Sequence, residues 1–144
     1  MHFVPHITVA TIVERQGRYL MVEEVSNNRV VFNQPAGHLE PDESLIEAAV
    51  RETLEETAWT VEITGITGLY LFRGKNGVTY QRTCFTAVPV ALQEQLPLDQ
   101  GIIKAHWLTL AEIESRRASL RDPMVLECIY DYLNKPRYPL DLIR

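Results

Sequence analysis

Residues 37–59 read GHLEPDESLIEAAVRETLEETAW, and the rest of the chain is organised around them. Ser44-x-x-Glu47 forms a capping box with Pro41 and Asp42 just outside it, which starts a helix near Ser44. Leu45, Ile46, Ala49, Val50 and Leu54 recur at helical spacing and supply its apolar stripe. With Ile46 placed at 0°, Glu55, Glu52 and Glu56 fall at roughly 180°, 240° and 280°. The three carboxylates therefore share one flank of the helix, with Glu56 bordering the stripe. Carboxylates crowded in this way repel one another unless a cation sits among them. Hard oxygen ligands that leave room for water suit Mg2+, with Mn2+ as a second possibility, and these ions normally work beside substrate phosphates. The stretch thus implies a metal-dependent phosphoanhydride hydrolase with this helix as its catalytic element.

Upstream, residues 5–14 (PHITVATIVE) are β-branched and apolar and read as a buried strand. Gln16-Gly17 makes a turn into a second strand at residues 18–25, so a hairpin is expected. A short strand at 30–32 ends at Asn33. Gln34-Pro35-Ala36-Gly37 punctuates the chain, and a second short extended piece is expected at 38–40. Downstream, residues 60–72, broken by Gly65 and Gly68, read as one or two strands with a bend. Residues 79–92 are the partner strand across a 73–77 hairpin loop. A final strand is expected at 102–108, a short helix capped by Thr109 and Glu112, a last helix at 123–134, and a packed extended tail at 135–144. Hairpins supply most of the sheet in this reading, and the class is α+β with a mixed sheet.

The 144 residues suit one domain, 1–144, without internal repeat or linker. Fourteen basic against 19 acidic residues give a net charge of −5, which argues against broad nucleic-acid binding. An acidic protein handling phosphates also needs a cation to screen its substrate. Cys84 and Cys128 sit in apolar segments without a CxxC pair and read as reduced, buried thiols. No apolar run approaches membrane-spanning length and no basic-then-apolar leader precedes the first strand, so the expected location is the cytoplasm and no membrane partner is expected.

Gly37, five residues, Glu43, seven residues, Arg51-Glu52, two residues, Glu55-Glu56 resembles the Nudix box. Glu55 and Glu56 alone would read as a solvated acidic face. Gly37, Glu43 and Arg51 in the same register make the box the better reading. The resemblance implies an α/β/α sandwich with the box as a loop–helix–loop, and hydrolysis of a diphosphate linked to another group with Mg2+ or Mn2+. Carried onto this chain, it implies that Glu52, Glu55 and Glu56 ligate metal. One of them, or an acid from a later loop, deprotonates the attacking water. It implies that Arg51 holds a box carboxylate, that Glu43 supports the loop, and that Gly37 brings its backbone carbonyl near the metal. Thr53 departs from the box where an aliphatic residue is expected, though its methyl can face the core. Ala58 replaces the glycine that usually ends the helix, where a left-handed cap costs about 1 kcal/mol or more. Trp59 stands at the final, usually aliphatic position and can anchor the exit.

Pro5-His6-Ile7-Thr8-Val9-Ala10, Asn33-Gln34-Pro35-Ala36-Gly37-His38-Leu39-Glu40 and Arg137-Tyr138-Pro139-Leu140 extend the likeness along the chain and are similar to the NudJ phosphatase subgroup. That resemblance implies removal of the terminal phosphate from nucleoside di- and triphosphates, and action on thiamine diphosphate and its hydroxymethylpyrimidine diphosphate precursor. Asp99, in the loop before the Trp107 strand, is a further candidate metal ligand, although Gly101 occupies the position six before that tryptophan. His38 can face the cleft. His6 and His106 read as structural. Phe32, Tyr19, Tyr70 and Tyr80 could stack on a heterocycle but suit core or sheet surface. Arg73, Lys75 and Arg82 could bind phosphate but suit exposed hairpin charges better, and Arg116, Arg117 and Arg121 read as a solvated face. Two other functions are weighed: pyrophosphohydrolysis of nucleotide sugars or dinucleotides, and a silent nucleotide-binding regulator, which would be expected to lose its box glutamates. The partner is a small diphosphate or nucleotide, and both monomer and homodimer are open.

Overall fold

The structure is a computed structural model that describes residues 2–144. Seven strands form a mixed sheet: β1 (His6–Arg15), β2 (Arg18–Ser26), β3 (Arg29–Asn33), β4 (Ala36–His38), β5 (Trp59–Arg73), β6 (Thr79–Leu92) and β7 (Ile102–Thr109). The main order is β3-β2-β1-β6-β5, with β4 also on β1 and β7 also on β2. Three α-helices accompany them: α1 (Leu45–Thr57), α2 (Leu110–Ser115) and α3 (Met124–Asn134).

Alternation along β1 separates two cores. Val9 and Val13 point toward α1 and pack with Leu20, Ala48, Ala49, Ile66 and Phe85. Ala10 and Ile12 point the other way and pack with Met21, Cys84, Ile113, Val125 and Ile129 beneath α2 and α3. Each of the larger side chains here contributes about 1.5–3 kcal/mol by leaving water. The result is an α+β sandwich of helix, sheet and helix.

The β1–β2 hairpin forms, but the two strands pair only at Glu14–Tyr19 and Arg15–Arg18. Before that point they diverge. β4 takes the N-terminal half of the same β1 edge, antiparallel, at Thr8–His38, Val9–Gly37 and Ala10–Ala36. On its other edge β1 runs parallel to β6 from His6–Tyr80 to Val13–Ala87. The β2–β3 and β5–β6 hairpins still supply the larger share of the pairing, as expected, while β1–β4, β1–β6 and β2–β7 close the sheet over long range. The short piece expected at 38–40 lies at Ala36–His38 instead, because its ladder with β1 begins at Ala36; Leu39 still donates to the Ile7 carbonyl at 3.0 Å. β5 is one long strand whose bend is spread over register shifts near Thr60, Gly65 and Gly68. The tail is extended only at first: Tyr138 exchanges two 2.9 Å backbone bonds with Ile66, and a 3-10 turn follows at Leu140–Leu142.

The ends of α1 follow from its sequence. The Ser44 hydroxyl accepts from the Glu47 amide at 3.0 Å, and Glu47 accepts from the Ser44 amide at 2.8 Å. Thr53 is fully buried, its hydroxyl bonded to the Ala49 carbonyl at 2.8 Å. At the exit Ala58 adopts φ 64°, a left-handed cap without glycine, with its amide on the Leu54 carbonyl. Trp59 packs edge-on against Trp107, with Arg15 over both rings. Both cysteines are buried and free.

Candidate active site

The β4–α1 connection puts Gly37, Glu52 and Glu56 on one side of a cavity of about 490 Å3, with Glu43, Arg51 and Glu55 behind them. Arg51 is the hub. Its Nη2 and Nε donate to the two Glu43 carboxylate oxygens at 2.7 and 2.9 Å. Its Nη1 donates to Glu52 at 2.7 Å and Glu55 at 3.2 Å, and Nη2 also reaches the His38 carbonyl at 3.0 Å. The two-pronged bond to Glu43 fixes the guanidinium plane, and that plane aims Glu52 and Glu55. Glu43 in turn accepts from the Glu40 amide at 2.8 Å, which closes the loop before the helix. The bond from Arg51 holds the Glu43 carboxyl below the usual range, and the same bond raises Arg51 further.

Glu52 lies directly under β4. A Cβ on Gly37 would stand 2.1 Å from the Glu52 Cδ, so only glycine lets the carboxylate reach this backbone. Glu52, Glu55 and Asp99 can each bring one oxygen within 4.8 Å of the others. Asp99 reaches the cluster because its amide bonds the Glu55 carbonyl at 3.0 Å, which fastens the 93–101 loop to α1. That long-range bond places Asp99 where spacing from Trp107 left its register open. Glu56 is apart from this trio. It is buried, and its Oε1 accepts from the Ala36 amide at 2.9 Å. Burial pushes its carboxyl up to about 9. Burial also raises Glu52 and Glu55, the latter with help from Asp99.

The donor set is all oxygen, gathered on one helix face with a glycine backbone pressed against it. The residues therefore fit a hard divalent cation. Glu52, Glu55 and Asp99 would hold it, with Glu56 and the Gly37 backbone beside them.

The opposite side of the cavity was less visible in the sequence. Arg82, expected as an exposed hairpin charge, is buried inside β6 and lines the cavity with Phe72 and Tyr80. Strand alternation two residues before Cys84 was the available signal. Arg121 is exposed, as expected of a solvated face, but its guanidinium also pairs with the buried Glu24 at the cavity rim. Arg116 lies over Phe32. Lys75 also lines the cavity, whereas Arg73 does not. His38 faces the cleft, its ring 3.1 Å from His6 Nδ1; burial and then His6 lower its pKa. His106 bonds Glu23 at 2.9 Å. Tyr19 is core and Tyr70 bonds Asp131, so Tyr80 is the tyrosine left beside the cleft.

The chain is similar to known proteins over nearly its whole length. The NUDIX domain family profile matches residues 3–128. The chain is 37% identical over 141 residues to Phosphatase NudJ of Escherichia coli K12, covering 98% of this chain and 92% of that protein. Phosphatase NudJ of Shigella boydii serotype 4 matches to the same extent. A NUDIX hydrolase structure from Nitrosomonas europaea superposes with a TM-score of 0.96 at 42% identity, covering 98% of this chain and 97% of that one. The NUDIX domain of Shewanella oneidensis NrtR, complexed with ADP ribose, shares the fold at a TM-score of 0.69 and 19% identity, with 90% and 87% coverage. With a family profile over most of its length and this identity to a phosphatase end to end, the chain belongs to the NUDIX family and is a Nudix hydrolase.

Proposed function

We propose that the protein is a Mg2+-dependent phosphatase that removes the terminal phosphate from small diphosphates and triphosphates: nucleoside di- and triphosphates, and thiamine or hydroxymethylpyrimidine diphosphate. The observation that carries this reading is the Arg51-ordered acidic cluster of Glu52, Glu55 and Asp99, which reaches through Glu52 into a cavity whose other wall is basic and aromatic. The NudJ likeness over nearly the full chain supports terminal attack. The setting is taken to be cytoplasmic; among the described residues no helix is long and apolar enough to cross a membrane.

A divalent ion, when bound, lowers the pKa of ligated water and offsets charge on the phosphate oxygens. The chain's own residues prepare for that. Glu52, Glu55 and Asp99 present oxygens from two elements tied together through the Asp99 amide bond. Arg51 holds Glu52 and Glu55 in their orientations from behind and does not line the cavity. Glu43 holds Arg51. Glu56, fixed by the Ala36 amide, stands within the cavity wall as a group able to exchange a proton there. Water attack at the terminal phosphorus then releases orthophosphate and leaves the head group as a phosphate one shorter.

A phosphate-release screen with Mg2+ across nucleotides, thiamine diphosphate and nucleotide sugars tests the reading. Orthophosphate released directly from diphosphates, and lost on adding EDTA, is expected. Release only of nucleoside monophosphates from nucleotide sugars would overturn it.

A further inference from the structure

Arg82 is a buried guanidinium without a carboxylate. It is 6% exposed. It forms no salt bridge among the described residues. Its Nη1 makes two long contacts, 3.4 Å to the Gln34 Oε1 and 3.8 Å to the Cys128 Sγ, and its Nε has no partner. The Phe72 ring lies 5.6 Å from its charge centre. Gln34 is itself clamped, its Nε2 on the Val125 carbonyl at 2.5 Å, so it steers the fork without neutralising it. An arginine cannot shed its proton, and a buried charge left unpaired is among the costliest features a fold can keep. Pairing across the sheet sets Arg82 level with Thr8, and Thr8 level with His38, so these three side chains share the face that borders the cavity.

The cavity is therefore bipolar. Glu52 and Glu56 line it beside Gly37, while Arg82 and Lys75 line it on the β6 side. We infer that Arg82 is an anion subsite that binds the phosphate remaining on the head group, the oxygens the acidic wall does not serve. The proposal rests on the phosphoanhydride reading for the identity of its anion. It assigns Arg82 the phosphate esterified to the head group and gives the monophosphate product of a diphosphate substrate affinity for the protein without any metal.

The test is equilibrium binding in EDTA of three pairs: uridine 5′-monophosphate against uridine, adenosine 5′-monophosphate against adenosine, and thiamine monophosphate against thiamine. For the head group that binds best, the phosphate is expected to strengthen binding by about tenfold or more in the wild type. Arg82→Met is expected to erase most of that gain and at the same time to raise Tm, because it removes an unpaired buried charge while keeping volume. Arg73→Ala, at an exposed position outside the cavity lining, is expected to keep the gain. If Arg82 only supported the fold, or served as counter-charge to Cys128, Arg82→Met would lower Tm and leave the phosphate gain intact; that pattern overturns the inference. No gain from the phosphate in any wild-type pair overturns it without recourse to a variant. Should Arg82→Met not fold, Arg82→Lys, which keeps the charge and loses the fork, is expected to lose part of the gain, and full retention counts against the inference. Neither metal nor turnover enters the measurement, so its failure is distinct from failure of the phosphatase reading.

Discussion

Glu56→Gln separates the demands of the fold from those of the chemistry. In the metal-free protein the folded state holds the Glu56 proton up to about 9, whereas the unfolded chain releases it near the ordinary 4.5. Stability from this group is thus full below 4.5 and falls as pH rises toward 9. At pH 7 the difference of 2.5 pH units amounts to about 3 kcal/mol. Glutamine mimics the protonated acid and can still accept from the Ala36 amide. The variant should therefore gain up to about 3 kcal/mol in EDTA at pH 7, or roughly 10 °C in Tm for a chain of this size. Thermal unfolding in EDTA from pH 5 to 8.5 is the assay. The wild-type Tm should decline across the series, and the variant should decline less, keeping the slope contributed by the raised Glu52 and Glu55. Mg2+ should stabilise the wild type more than the variant. The variant's kcat should fall by about a hundredfold or more. An unchanged or lower variant Tm at pH 7, with the wild-type slope retained, would refute the claim that burial keeps Glu56 protonated. Near-wild-type turnover would remove Glu56 from the chemistry.

Arg51→Lys loses the two-pronged Glu43 bond and the fork that serves Glu52 and Glu55; it should cost about 2 kcal/mol and reduce kcat, and denaturant melts that match wild type would count against the hub role. Gly37→Ala places a methyl 2.1 Å from the Glu52 Cδ and should weaken Mg2+ binding by about tenfold or more, read by metal titration; unaltered affinity would mean Glu52 can ligate from another position. Ala58→Gly relieves the left-handed cap at φ 64° and should raise Tm by a few degrees, about 1 kcal/mol, with activity unchanged; a lower Tm would show that packing of the buried methyl outweighs the backbone gain.

Features that depend on neighbours in the chain were legible in the sequence. The Ser44–Glu47 box, the inward-facing Thr53 and the position of Glu56 beside the apolar stripe all follow from helical period and capping chemistry. Features that depend on long-range closure were not. The parallel β1–β6 ladder has no local signature, and β4 begins at Ala36 because β1 is there to receive it. Asp99 joins Glu52 and Glu55 through one backbone bond across more than forty residues. Arg82 was misread for a different reason. Charged residues usually belong to the surface, and only its place inside β6, paired with the buried Thr8 of β1 and with Tyr70 of β5, reverses that expectation.

The central claim is water attack at the terminal phosphorus. Hydrolysis of a nucleoside diphosphate in 18O-enriched water with Mg2+, followed by mass analysis of both products, tests it most directly. Terminal attack puts the label in orthophosphate and none in the nucleoside monophosphate. Label in the monophosphate would place attack at the inner phosphorus and contradict it.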